Sequence, residues 1–194
     1  MKRAIVRMIV GSILTVASPL PALAQNPPHL GGPWLFGLSF GGGQRTTDAP
    51  FKFSQLPAGA TLPEALTVGV IDVEGGVALT GRLALLSVFE RPAAIGQSPA
   101  GWGSLAAHAA LREWILPRVW LEGGVGASEL VYHSSAIPSV KTTWWSPAYE
   151  AAAGYEILRG RTVSLQALAR YAAATFDGHH VQTASIEIGL LARR

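Results

Sequence analysis

From Pro33 onward, apolar side chains alternate with glycine, alanine and single charged residues at period two, in eight separate stretches. Such alternation predicts β-strands with one apolar face and one different face. The first stretch, about 33–43, sets Trp34, Phe36, Leu38 and Phe40 opposite Gly37, Ser39, Gly41 and Gly43. The second, 67–79, sets Ile71, Val73, Val77 and Leu79 opposite Asp72, Glu74, Gly76 and Ala78. The third, 82–90, is irregular and its faces stay open. The fourth, 104–113, sets Leu105, Ala107, Ala109 and Leu111 opposite Ser104, His108 and Arg112. The fifth, 118–128, sets Val119, Leu121 and Val125 opposite Glu122, Gly124, Gly126 and Ser128, with Trp120 on the face of Glu122. The sixth, 148–157, sets Tyr149, Ala151, Ala153, Tyr155 and Ile157 opposite Glu150, Gly154 and Glu156. The seventh, 162–172, sets Val163, Leu165, Ala167, Ala169 and Tyr171 opposite Ser164, Gln166 and Arg170. The eighth, 181–192, sets Ala184, Ile186, Ile188 and Leu190 opposite Ser185, Glu187 and Gly189.

Connection lengths also alternate. Thr80-Gly81, the segment 114–117 and Arg159-Gly160 are short turns, whereas 44–66, 91–103 and 130–145 are longer. Asp177-Gly178 is a two-residue hairpin signal between the last two strands. Short turns at one end and long loops at the other are what outer-membrane barrels show, with the long loops outside the cell. A soluble sandwich or a lipocalin-like barrel also alternates. Two details favour the membrane. The non-apolar face is glycine and alanine interleaved with a few long polar side chains, which suits the narrow interior of an eight-stranded barrel. That face also carries both signs of charge: Asp72, Glu74, Glu122, Glu150, Glu156 and Glu187 against Arg112 and Arg170, with His108, Gln166 and a contribution from Arg82 of the irregular strand. Charges taken out of water must be paired, so these residues are expected to form a lumen network centred on the two arginines. Aromatics near strand ends (Trp34, Trp102, Trp114, Trp144, Trp145, Tyr149 and Phe176) are expected to mark the two interfacial girdles.

The start of the chain supports export. Lys2, Arg3 and Arg7 precede the apolar run 8–17, and Ala22-Leu23-Ala24 is an A-x-A cleavage site, so residues 1–24 read as a signal peptide. A short segment, 25–32, then leads into a barrel domain, 33–194. The apolar run is shorter than the ~20 residues a spanning helix needs. The chain has 15 Lys+Arg and 12 Asp+Glu, and three of the basic residues belong to the signal, leaving twelve of each sign. No basic patch remains to suggest nucleic acid. With no cysteine there is neither a disulfide framework nor thiol chemistry. Charged residues make up 14%, well below the roughly 25% usual in soluble domains.

These features resemble the small outer-membrane β-barrel superfamily of the OmpA transmembrane-domain, OmpX and OmpW type, over about 33–194. The local carriers are the run 33–43 and Arg118-Val119-Trp120-Leu121-Glu122-Gly123-Gly124-Val125-Gly126, a strand ending in G-G-x-G. The resemblance implies an all-β, eight-stranded antiparallel up-and-down transmembrane barrel, monomeric, in a bacterial outer membrane. It implies lipid, lipopolysaccharide and the barrel-insertion machinery as partners. One departure concerns insertion. The superfamily usually ends on an aromatic residue, and this sequence closes with Leu190-Leu191-Ala192-Arg193-Arg194.

Candidate chemistry is sparse, and no cofactor or metal is expected. His133-Ser134-Ser135, with Glu129 nearby, has the H-x-S spacing found among barrels that deacylate lipid A. The tripeptide is far too short to be specific, and a polar extracellular loop explains it better. His179 and His180 follow Asp177-Gly178 and lack evident co-ligands. Gly41-Gly42-Gly43 precedes no helix, so a phosphate loop is not supported. The sequence therefore leads to a surface-presenting membrane anchor with a plugged polar lumen. The alternatives are a small-solute channel and a lipid A acyl hydrolase.

Overall fold

The computed structural model of the chain describes residues 33–48, 63–95, 100–134, 137–142 and 145–194. The expected signal peptide and the segment 25–32 lie outside the described residues. The strands are β1 (Trp34–Thr47), β2 (Ala65–Ala78), β3 (Leu83–Glu90), β4 (Ala93–Ala94), β5 (Ala100–Trp114), β6 (Val119–Ser134), β7 (Ile137–Thr142), β8 (Ser146–Arg159), β9 (Val163–Phe176) and β10 (His179–Arg193). They form a closed, eight-stranded antiparallel barrel. β3 and β4 count as one stave, since both pair with β2 and β5, and they are separated by Arg91 and Pro92. β7 is a hairpin return on the far end of β6 and adds no stave. Closure is made by β1 against β10, from Leu35↔Arg193 to Thr47↔Val181. The backbone ladders thus continue around the ring, as a hydrocarbon environment requires.

The turns explain the connectivity. At one end, the Thr80 hydroxyl accepts the N–H groups of Arg82 and Leu83 at 3.1 and 3.0 Å and holds the β2–β3 turn. At the other end, Asp177 and Gly178 have φ of 48° and 82°. Two successive positive φ values define the tight turn whose twist matches a hairpin. The expected loops 44–66, 91–103 and 130–145 are partly wall: 44–47, 65–66, 93–94, 100–103, 130–134 and 137–142 are strand. Residues such as Gln44, Thr46 and Thr47 break the apolar alternation, but ladder hydrogen bonds do not depend on side-chain polarity. The strands therefore run past the roughly 9–11 residues that cross a bilayer.

Burial alternates along every stave. Phe40 is 63% and Ile186 73% exposed on the outside, together with Trp34, Phe36, Leu38, Ile71, Val73, Phe89, Val125, Tyr149 and Tyr155. An apolar belt of this extent is an aggregation hazard in water and is solvated by lipid. The irregular stretch 82–90 resolves into outward Leu85 and Phe89 and inward Ala84, Leu86, Val88 and Glu90. Arg82 is exposed at the turn and adds nothing to the lumen. A register shift between Glu156 and Leu158 lets both Ile157 and Leu158 face outward.

The interior has three layers. At the end where β1 begins and β10 ends, Leu35, Ala84, Leu86, Trp114, Trp120 and Leu191 form an apolar base. At the opposite end, Leu66, Val68, Val70, Trp102, Leu130, Phe176 and Val181 form an apolar cap. The charged residues lie largely between them. Three of the aromatics assigned to girdles, Trp102, Trp114 and Phe176, therefore point inward. Period two fixes which residues share a face, but an aromatic close to a strand end fits either side. Trp34, Trp145 and Tyr149 face outward, and Trp144 lies outside the described residues.

Candidate functional site: the charged lumen

All ten of Asp72, Glu74, His108, Arg112, Glu122, Glu150, Glu156, Gln166, Arg170 and Glu187 are buried inside the barrel. The site is built by pairing small residues with large ones across the ladder. Gly37 is opposite Glu74, and a Cβ at Gly37 would lie 2.4 Å from Glu74 Cγ. Gly154 is opposite Trp120, and a Cβ there would lie 2.1 Å from the indole Cζ2. The glycines thus provide the space that the long side chains occupy.

Arg112 donates from Nη1 and Nη2 to the two oxygens of Glu74 at 2.9 and 2.5 Å, and from Nε to Glu122 Oε2 at 2.8 Å. Its guanidinium stacks 3.9 Å from the Trp120 ring centroid. The fixed fork of arginine suits this bidentate, stacked arrangement. Arg170 continues the network. Its Nη1 lies 3.2 Å from Glu122 Oε1 and also donates to Glu150, and its Nε lies 3.1 Å from Asp72 Oδ2 and 3.8 Å from Glu187 Oε1. Glu122 therefore bridges the two arginines. Glu187 accepts from the Ser39 and Ser185 hydroxyls, each at 2.6 Å. His108 Nδ1 stands 3.6 Å from Glu150 Oε2.

Glu156 is not part of this network. It accepts from Trp114 Nε1 at 2.9 Å and pairs with Arg193 and, at 3.5 Å, with Arg159. It stands a layer lower, beside Trp114 and the end of β10. Gln166 is buried, with its Oε1 unpartnered. Sequence reasoning missed Arg45, Glu90 and Arg193. Arg45, whose ladder partner Leu66 belongs to the apolar cap, donates to Ser104 at 2.7 Å and Thr183 at 3.4 Å. Continuing the first stretch at period two from Ser39 through Gly43 reaches Arg45. Continuing the last from Glu187 through Gly189 reaches Arg193. Among the described residues, the lumen holds seven buried carboxylates and four buried arginines.

Of the other candidates, Ser135 and the side chains of His133 and Ser134 lie outside the described residues, so no Ser/His geometry is defined. His179 Nδ1 stands 3.2 Å from Asp48 Oδ1 at the barrel rim, and His180 Nδ1 stands 3.0 Å from the Thr175 hydroxyl.

A closed eight-stranded wall, an apolar outer belt and a packed ionic lumen define the class: this is the fold of the small outer-membrane β-barrels. Comparison with solved structures agrees. Neisserial surface protein A has a TM-score of 0.58 at 12% identity, over 83% of this chain and 96% of that one. Ail, the attachment invasion locus protein of Yersinia pestis, in complex with the heparin analogue sucrose octasulfate, has a TM-score of 0.56 at 16% identity, over 82% and 99%. No protein-family model and no curated protein sequence matches the chain. At these identities the likeness is one of fold.

Proposed function

We propose that the protein is a membrane anchor of the bacterial outer membrane that presents its long connections at the cell surface and carries no solute through its lumen. The observation that carries this reading is the filled interior, with an apolar base, an ion-paired middle and an apolar cap in series. A conducting path needs continuous water, and the packed tryptophans and bidentate ion pairs that stand across the lumen among the described residues support the non-conducting reading. In this reading the apolar belt meets lipid and lipopolysaccharide, the barrel-insertion machinery places it, and the protein acts as a monomer without catalysis. Ail, which shares the fold, is named an attachment protein and was solved with a sulfated sugar, which is compatible with display of surface loops. The test is single-channel recording of the purified protein in planar bilayers. The expected outcome is a silent membrane at protein levels where a porin control conducts. Discrete, reproducible conductance steps would replace this reading with the channel.

A further inference from the structure

A second feature lies within the lumen, on its cap side. Glu90 at the end of β3, His108 on β5 and Glu150 on β8 each offer one ligand atom, and the three atoms lie within 4.8 Å of one another. All three residues are more than nine-tenths buried, at 1%, 4% and 3% exposure. They come from three different staves. His108 and Glu150 meet because β6, which lies between them, turns Gly124 and Gly126 inward: Gly126 pairs with His108 and Gly124 with Glu150. A Cβ on Gly124 would come within 2.7 Å of Glu150 Oε1.

The hydrogen bonding within this cluster is incomplete. Glu90 Oε2, Glu150 Oε1 and both ring nitrogens of His108 make no hydrogen bond. Buried polar atoms almost always find a partner, and a group of unsatisfied ones calls for an explanation such as an ion. A small cavity of about 20 Å³ adjoins the cluster: Glu90 and His108 line it together with Ser104 and Arg45, while Glu150 stands behind His108 outside its lining. Its volume exceeds the ~10–15 Å³ that holds one water, so a monatomic ion fits and an organic solute does not. Among the described residues the seven buried carboxylates outnumber the four buried arginines, so a divalent cation would supply positive charge that the arginines do not. One imidazole and two carboxylates are a donor set suited to zinc and similar transition metals. Arg170 pairs with Glu150 Oε2, the oxygen that stands 3.6 Å from His108 Nδ1, and so orients the carboxylate, as outer partners of metal ligands do.

We propose that Glu90, His108 and Glu150 bind one divalent transition-metal ion, of the Zn²⁺ type, inside the barrel. The bound ion ties β3, β5 and β8 together across the lumen. The test uses the folded full-length protein in detergent micelles, stripped with a chelator and titrated with ZnCl₂. Bound metal is measured by elemental analysis and heat-denaturation midpoints are recorded with and without Zn²⁺. The expected result is one Zn²⁺ per chain and a higher midpoint with metal, because a ligand that binds only the folded state stabilises it. His108→Ala should abolish the stoichiometric site. Glu90→Gln should weaken it by more than the ~10–100-fold cost of losing an outer-shell partner. The rim double variant His179→Ala/His180→Ala should bind as the wild type does. If His108→Ala does not fold, Glu90→Gln and the visible spectrum of the Co²⁺-loaded wild type carry the test, with imidazole–carboxylate ligation expected. A folded wild type that binds no stoichiometric metal overturns the proposal. So does binding that survives His108→Ala or disappears with the rim histidines.

Discussion

Arg170 faces Asp72, Glu122, Glu150 and Glu187, and none of these is open to water. Removing its guanidinium would leave four carboxylates without their shared cation in a low-dielectric interior. Breaking a buried pair by removing one partner typically costs about 3–5 kcal/mol. Arg170→Ala should therefore lower the melting temperature in detergent sharply. Ala169→Ser, one residue away on the lipid-facing side, should change stability by about 0.5 kcal/mol or less. Equal melting of Arg170→Ala and wild type would mean that Arg170 is solvated and that the lumen reading is mistaken. Tryptophan plays a comparable part lower down: Trp114 donates to Glu156 and Trp120 stacks on Arg112. The aromatic base of the barrel is thus also a polar anchor.

At the scale of elements, the hairpin between β9 and β10 is held by backbone geometry. Gly178 has a φ of 82°, a left-handed region that costs an L-residue about 1–2 kcal/mol. Gly178→Ala should destabilise the barrel by about 1 kcal/mol, read as a lower urea midpoint for the micelle-bound protein. Asp177→Asn should be nearly silent, because Asn-Gly is as good a pair for this turn. A silent Gly178→Ala would mean that the turn relaxes into another type. The overrun of β1, β2, β5 and β6 beyond the bilayer span continues the wall, so that in the proposed reading the surface loops begin on an extension of the barrel. β7 pairing back on β6 extends that collar further.

For the whole molecule, ring closure by β1 and β10 leaves no sheet edge in the barrel wall from which unfolding can start. The protein should stay folded in unheated SDS and migrate differently from the boiled sample. Its topology is testable in the same strain. Thr47 and Ala65 frame the connection at the cap end, whereas Gly160 lies in a turn at the end where β1 begins and β10 ends. An epitope inserted at Ala58 should be labelled on intact cells, and one at Gly160 only after permeabilisation. The reverse pattern would invert the orientation.

The period-two alternation by itself determined which residues share a face, and the connection lengths and the small-and-charged make-up of the second face turned that into a lipid-facing barrel rather than a sandwich. A strand has only two faces, so a run such as Trp34-Leu35-Phe36-Gly37-Leu38-Ser39-Phe40 can bury one set of positions or the other and nothing between. The same parity placed Asp72, Glu122, Glu150, Arg170 and Glu187 on one face before any partner was known, and Asp177-Gly178 announced its own turn. What alternation does not contain is height, meaning how far along the barrel axis each residue stands. Height depends on the stagger between neighbouring strands, and only the closed ring sets it. That stagger put Glu156 beside Trp114 and Arg193 rather than beside Arg112, and turned Trp102 and Phe176 into a cap. It also set Glu90, His108 and Glu150 together from three separate staves. Side-chain facing is a local property of the backbone, whereas neighbourhood inside a lumen is decided by every strand at once.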